Sequence, residues 1–244
     1  MTMQHRLFLF SGAALALTLL GYAGAGMGLS AAAERAVKLP PPAMDVPANP
    51  AAARATAVFA GGCFWGVQAV FQHTQGVLNA VSGYSGGEAS TASYRKIGSG
   101  RTGHAESVQI TYDPRVVSYG KLLQIFFSVA HDPTTLNRQG PDSGTQYRSA
   151  IFYQDLTQKE LVEKYLAQLS AAKVFPNKVV TELTPLTGFY PAEAYHQNYA
   201  ARNPRNAYIV RFDAPKVANL KALLPEVYRQ QPVLVADVVE NAEN

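Results

Sequence analysis

One cysteine in 244 residues leaves this chain no partner for an intrachain disulfide. A fold without staples must stand on its core, and a 48% share of hydrophobic residues can supply one. Charged residues make up only 16%, which excludes a coiled-coil or disordered composition. The net charge of +4 is spread along the chain and not gathered into a basic run. A nucleic-acid role therefore lacks its usual footprint, and only a weak preference for acidic surfaces remains. No His, Cys or carboxylate spacing resembles a metal-ligand set, and no glycine-rich loop with its lysine follows a strand.

Charge is absent altogether from Leu7 to Ala33. After Arg6 the run LFLFSGAALALTLL has the length of a signal peptide and is short for a membrane span. Ala23-Gly24-Ala25 and Ala31-Ala32-Ala33 are candidate cleavage sites. Residues 1–33 are thus expected to export the domain, to the periplasm of a bacterium. An uncleaved anchor would place the domain on the same side of the membrane. A lone thiol in such a compartment is a liability unless it is used or sealed away.

Residues 34–53 are proline-rich (KLPPPAMDVPANP from Lys38) and predict a stiff spacer. A single domain is expected over 54–228, followed by a peripheral, weakly acidic tail over 229–244. Within the domain, Thr56–Ala60 predicts a strand ending in a glycine turn, and Cys63–His73 a helix. Val77–Tyr84 and Ser107–Tyr112 predict strands. Ser118 caps a helix through Val129. Ala150–Tyr153 predicts a strand, Thr157 with Glu160 a capping box opening a helix to Ser170, and Val179–Leu183 another strand. Pro191–Ala201 and Ala214–Leu224 read as short helices. This alternation implies an α+β two-layer sandwich, with a central mixed sheet, packed helices and long C-terminal loops.

Cys63 follows a strand and two glycines and opens a helix. Unpaired N–H groups and the positive end of the helix dipole at that position predict a depressed thiol pKa. Gly61 and Gly62 permit the sharp turn and leave the sulfur approachable.

Gly61-Gly62-Cys63-Phe64-Trp65-Gly66 closely resembles the signature of the peptide methionine sulfoxide reductase A family. Further stretches resemble that family in its order: Ser82–Gly87, Gly100–Glu106, His131–Thr134, Asn137–Gly140, Gly144–Ser149, and Tyr190–Glu193 with Tyr195–Gln197. The likeness runs from about Thr56 to about Pro204. It implies reduction of methionine sulfoxide, and of its S epimer. A sulfoxide sulfur is electrophilic but its oxygen leaves only when protonated, so a thiolate and a proton donor must meet at one substrate. By resemblance Cys63 is the nucleophile. Glu106 is the donor, kept neutral by burial among Phe64, Trp65 and tyrosines. Tyr94 and Tyr147 hydrogen-bond the sulfoxide oxygen. Phe64 and Trp65 form an apolar wall for the substrate methyl. Asp142 supports the hydrogen-bond network, and Tyr190, Glu193 and His196 belong to the rim of the pocket or its support.

Many family members carry further cysteines that resolve the oxidised nucleophile. This sequence has none, so a Cys63 sulfenic acid must meet an external thiol: a thioredoxin-like or glutaredoxin-like protein, or a small thiol. No metal or bound cofactor is implied, and a monomer is expected. Two rival readings remain on the residues alone. A cysteine hydrolase would need His73, His104, His131 or His196 to activate Cys63, and His131-Asp132 suggests one. A non-catalytic module could capture oxidised methionine in an aromatic pocket.

Overall fold

The computed structural model describes residues 36–46 and 52–236. The expected export segment and the residues beyond Ala236 lie outside the described residues.

Strand β1 (Ala55–Gly61) alternates its side chains between two apolar clusters. Ala57 and Phe59 enter the main core, while Val58 and Ala60 enter a smaller cluster on the other face of the sheet. Helix α1 (Phe64–Gln72) follows after the Gly61-Gly62 turn. Strands β2 (Val77–Ser85) and β3 (Ala105–Tyr112) come next, with the one-turn helix α2 (Tyr94–Ile97) in their connection. Ser118 caps α3 (Tyr119–Ile125), its side chain accepting from the Lys121 N–H. A short ribbon of β4 (Arg138–Gln139) and β5 (Asp142–Ser143) precedes β6 (Ser149–Tyr153) and α4 (Leu156–Ala171). The chain closes through β7 (Glu182–Pro185), β8 (Phe189–Pro191), α5 (Tyr199–Arg202) and α6 (Ala214–Leu223).

The sheet order is β7-β6-β1-β3-β2-β8. Its pairs are antiparallel except β6 with β7, so the sheet is mixed, as expected. Helices α1, α3, α4 and α6 bury Phe64, Val67, Val70, Phe71, Leu122, Ile125, Val162, Leu169 and Leu220 in the main core, which Phe59, Val108 and Ile151 of the sheet share. The expected two-layer α+β architecture is the observed one.

Three local expectations need correction. Helix α4 is capped not at Thr157 but two residues earlier. Asp155 accepts from the Gln158 N–H at 2.8 Å, and Gln158 reaches back to the Gln154 N–H at 3.0 Å. The strand expected over Val179–Leu183 begins at Glu182, because the Val180 N–H is engaged by the Pro133 carbonyl instead of the sheet. Pro191 ends an edge strand where a helix was expected; an edge tolerates a residue without an N–H.

The described part of the proline-rich segment, residues 36–46, does not stand off the domain. Leu39 is 2% exposed and joins the core, and the Tyr165 hydroxyl donates to the Pro40 carbonyl. The Asp45 carboxylate accepts from the Gly120 N–H and the Ser118 hydroxyl at the start of α3. Met44, the one methionine among the described residues, is exposed beside Lys164. The chain beyond α6 docks too. The Arg229 N–H donates to the His73 carbonyl and the Val233 N–H to that of Gln72.

Candidate active site

The turn into α1 determines where the sulfur sits. Gly62 has φ +85°, and a Cβ there would lie 2.5 Å from the Cβ of Gln139. Only glycine fits both the backbone and the space. Cys63 then takes the N-cap position, and the helix begins at Phe64. The first N–H groups of a helix have no partner within it. Here the Phe64 N–H donates to Glu106 Oε2 at 3.0 Å. The second residue of β3 is thereby fixed beside the residue that precedes α1.

Cys63, Glu106, Phe64, Trp65, Tyr94, Asp142, Tyr147 and Tyr208 line one cavity of about 220 Å³. Larger cavities of about 360 and 520 Å³ lie between α1 and α6 and beside α4, and neither touches the thiol. Chemistry, not size, selects the smaller one.

Glu106 is 3% exposed, and burial pushes its carboxyl up to about 8. The Phe64 N–H pulls the other way and does not overcome that desolvation. Near neutral pH the group is an acid that holds its proton, as the sequence suggested. For Cys63 the expectation is reversed. Burial is the chief cause that raises the thiol well above its ordinary value, Glu106 where it is ionised and Asp213 add to it, and the Trp65 N–H at the helix start only moderates this. The start of a helix favours a thiolate, but here burial and the nearby carboxyl groups of Glu106, Asp213 and Asp142 outweigh it. The resting nucleophile is a thiol.

The aromatic wall is built from the chain's later part. The Trp65 indole stacks on Tyr199 at 3.8 Å, and its N–H donates to His196 Nδ1 at 3.2 Å. Tyr94 lies over the His196 ring at 4.3 Å. Glu193 accepts from the Tyr94 N–H (3.0 Å) and the Tyr84 hydroxyl (2.7 Å). Burial acts to raise the Glu193 carboxyl, and these bonds outweigh it and hold it below the usual range. Glu193 and His196 thus hold Tyr94 and Trp65 in place without lining the cavity. Tyr190 does not line it either: its backbone pairs with Tyr84 in β8, and its ring meets the His104 edge at 5.6 Å.

Tyr208 was missed. Its hydroxyl donates to Asp142, and burial and nearby anions push its pKa far up, keeping it a donor. It lies beyond the family-like stretch ending near Pro204, so no motif marked it. Asp213 and Lys216 were missed as well. The sequence Asp213-Ala214-Pro215-Lys216 signals a helix start with Pro in its first turn, and nothing more.

The described histidines are occupied elsewhere. His131 Nε2 bonds Ser149 at 2.7 Å and its Nδ1 the Phe126 carbonyl, and burial lowers the ring to about 3. His73 and His104 bond the carbonyls of Arg229 and Glu88, and His196 holds Trp65. The cysteine-hydrolase reading lacks its base.

Comparison with known proteins agrees with this geometry. Residues 55–225 match the family described as peptide methionine sulfoxide reductase. The chain is similar to peptide methionine sulfoxide reductase MsrA 2 of Mesorhizobium japonicum, 61% identical over 180 residues, which are 74% of this chain and 92% of that protein. It is similar to MsrA 2 of Synechocystis, 48% identical over 75% of this chain and 86% of that protein. Among solved structures, the reduced form of Mxr1 from Saccharomyces cerevisiae matches with TM-score 0.58 and 36% identity, over 65% of this chain and 90% of that one. Methionine sulfoxide reductase A of Corynebacterium diphtheriae matches with TM-score 0.54 and 36% identity, over 65% and 78%.

Proposed function

The chain belongs to the peptide methionine sulfoxide reductase family, an oxidoreductase family that reduces methionine sulfoxide, and on that premise we propose that it repairs exported proteins by reducing the S epimer through a one-cysteine cycle. The observation that carries this reading is a buried carboxyl with pKa about 8 in the same cavity as the chain's single thiol.

The chemistry follows from the site. The substrate methyl and side chain pack on Phe64 and Trp65. Tyr94 and Tyr147 donate to the sulfoxide oxygen; burial raises both hydroxyls, so both stay protonated. Tyr208 and Asp142, joined by their hydrogen bond, complete the wall of the same cavity. Glu106 gives its proton to the sulfoxide oxygen, which makes the substrate sulfur more electrophilic and draws the thiol toward ionisation. Cys63 Sγ attacks, and the thiol proton returns to Glu106. The oxygen passes to Cys63, leaving methionine and a sulfenic acid, with no net proton consumed. A raised resting thiol pKa suits this order, because the nucleophile becomes an anion only when a polarised substrate is present.

With no second cysteine in the sequence, two equivalents of an external thiol complete the cycle, one forming a mixed disulfide with Cys63 and one releasing it. A thioredoxin-like protein, a glutaredoxin-like protein or a small thiol could serve. Residues 1–33 direct the domain to the periplasm, where it acts as a monomer. N-terminal sequencing of the chain from a periplasmic extract tests that placement; recovery from the cytosol with Met1 retained refutes it.

The central test is reduction of each methionine sulfoxide epimer by wild type and Cys63→Ser with a small thiol. Wild type consumes the S epimer and Cys63→Ser neither. Turnover by Cys63→Ser, or preference for the R epimer, overturns the assignment.

A further inference from the structure

Cys63 borders a second, much smaller space. A cavity of about 10 Å³ is enclosed by Cys63, Gln139, Pro141, Asp142, Phe212 and Lys216, among others. That is room for about one water molecule. Its walls differ from those of the substrate cavity. Phe64, Trp65, Tyr94, Glu106 and Tyr147 do not reach it, and Gln139, Phe212 and Lys216 take their place. The sulfur therefore faces a wide space that admits a substrate and a narrow one that fits a single oxygen species.

Lys216 is the charged residue that belongs to the narrow space alone. It sits near the start of α6 and is 6% exposed. Its stem lies along the active-site helix, where a Cβ on Gly66 would come within 3.2 Å of Lys216 Cδ. Its charge acts on both Asp142 and His131. An ammonium held this deep is costly to bury unless partners offset the charge, and Asp142, which also lines this space, is one of the groups it acts on.

The regeneration step needs a donor in such a place. An incoming thiolate must approach Cys63 Sγ from the side opposite the S–O bond, and the oxygen departs poorly unless it is protonated. A thiolate arriving through the wide cavity leaves the narrow one as the other space beside the sulfur into which the departing oxygen could go. Glu106 lines only the wide cavity and cannot serve there.

Resting on the sulfenic-acid cycle above, we propose that Lys216 is the catalytic acid of regeneration, donating from Nζ to the sulfenic oxygen in the one-water cavity. The external thiolate sulfur forms a bond to Cys63 Sγ. The Sγ–O bond breaks with its electron pair going to oxygen, which takes a proton from Lys216 and leaves as water. The Cys63 sulfur is reduced and the external thiol is oxidised into the mixed disulfide. A second thiolate releases Cys63, and the Lys216 amine regains its proton from solvent. The reductase thus uses two acids on two sides of one sulfur, Glu106 for the sulfoxide and Lys216 for the sulfenic acid.

The two half-reactions can be timed separately. Without reductant, methionine released from the S epimer measures the first. Addition of glutathione to the oxidised enzyme, with loss of dimedone-reactive Cys63 followed by mass spectrometry, measures the second. In Lys216→Met the first remains within about twofold of wild type while the second slows at least about tenfold, the lower side of what a general acid contributes. In Lys216→Ala, added methylammonium restores part of the second rate, which a merely structural defect would not allow. Wild-type regeneration in Lys216→Met overturns the proposal, as does an equal fall of both half-reactions with no rescue in Lys216→Ala. If wild type itself forms no dimedone-reactive Cys63, the cycle beneath the proposal fails instead.

Discussion

Replacing Glu106 by glutamine should cost activity and restore stability at high pH, and the two effects have one cause. The carboxyl is buried, and burial displaces its pKa from 4.5 to about 8. Glutamine keeps the shape and can still accept from the Phe64 N–H, but it has no proton to give. Loss of a general acid slows kcat by roughly 100- to 10,000-fold. The stability argument runs through proton linkage. Below pH 4.5 the wild-type carboxyl is neutral in both the folded and unfolded chain. Between 4.5 and 8 the unfolded chain can release the proton while the fold resists, so folding stability falls across that window and levels off above it. At about 1.4 kcal/mol per pH unit, the loss approaches about 5 kcal/mol as an upper bound. Glu106→Gln escapes this penalty. Its melting temperature relative to wild type should therefore rise from pH 5 to about pH 8 and then level off. Wild-type kcat should fall about tenfold between pH 7 and pH 9, as the neutral carboxyl drops to roughly one molecule in ten, and the variant should lack that limb. Scanning calorimetry across pH with parallel initial rates measures both. A melting-temperature difference that does not change with pH, or a variant keeping a tenth of wild-type kcat, would falsify the assignment of a neutral buried acid.

Leu39→Ala should destabilise the domain by about 2–5 kcal/mol in urea unfolding, since Leu39 is a core residue despite its proline-rich surroundings; an unchanged midpoint would mean the segment is undocked in solution. Gly62→Ala forces a side chain into a positive-φ position 2.5 Å from Gln139. It should lower stability by about 1–3 kcal/mol, displace the sulfur and slow the first half-reaction. Full activity of that variant in a single-turnover assay would contradict the turn geometry. Tyr94→Phe with Tyr147→Phe should reduce kcat at least about 100-fold with a smaller change in KM, because the hydroxyls act on charge that develops as the reaction proceeds. A KM effect alone would reassign them to ground-state binding.

Strand β3 was legible because Val108, Ile110 and Tyr112 alternate with polar residues, and β1 because an apolar run ends at two glycines, whereas the two- and three-residue strands β4, β5 and β8 carry no such pattern. In β1 the unbroken run from Ala57 to Ala60 marks a strand buried on both faces, and only the structure divides it into Ala57 and Phe59 on one side and Val58 and Ala60 on the other. Boundaries set by side-chain bonds were less legible. Asp155 with Gln158 and Thr157 with Glu160 have the same three-residue spacing, and only the packing of α4 decides between them. At the site, Cys63, Glu106, Phe64, Trp65, Tyr94, Asp142 and Tyr147 converge from residues far apart in sequence, and motif resemblance found them all. Residues whose part depends on distant packing escaped. Tyr208 and Lys216 line the cavities beside the sulfur because α6 and the turn before it pack against α1, a contact no local pattern encodes. The thiol expectation failed for the same reason. A helix start is a local feature, whereas the acids that oppose ionisation arrive from β3, β5 and the turn before α6.

Met44 has a wider meaning. Its side chain is exposed, and the buried hydrophobic residues of the described domain, aliphatic, aromatic and one thiol, include no thioether. Peroxide that roughens the hearts of its clients by turning methionine polar finds no such residue to attack inside this one. Apart from the thiol that does the work, the one sulfur in view that peroxide could turn polar is left on the outside, where another copy can reach it.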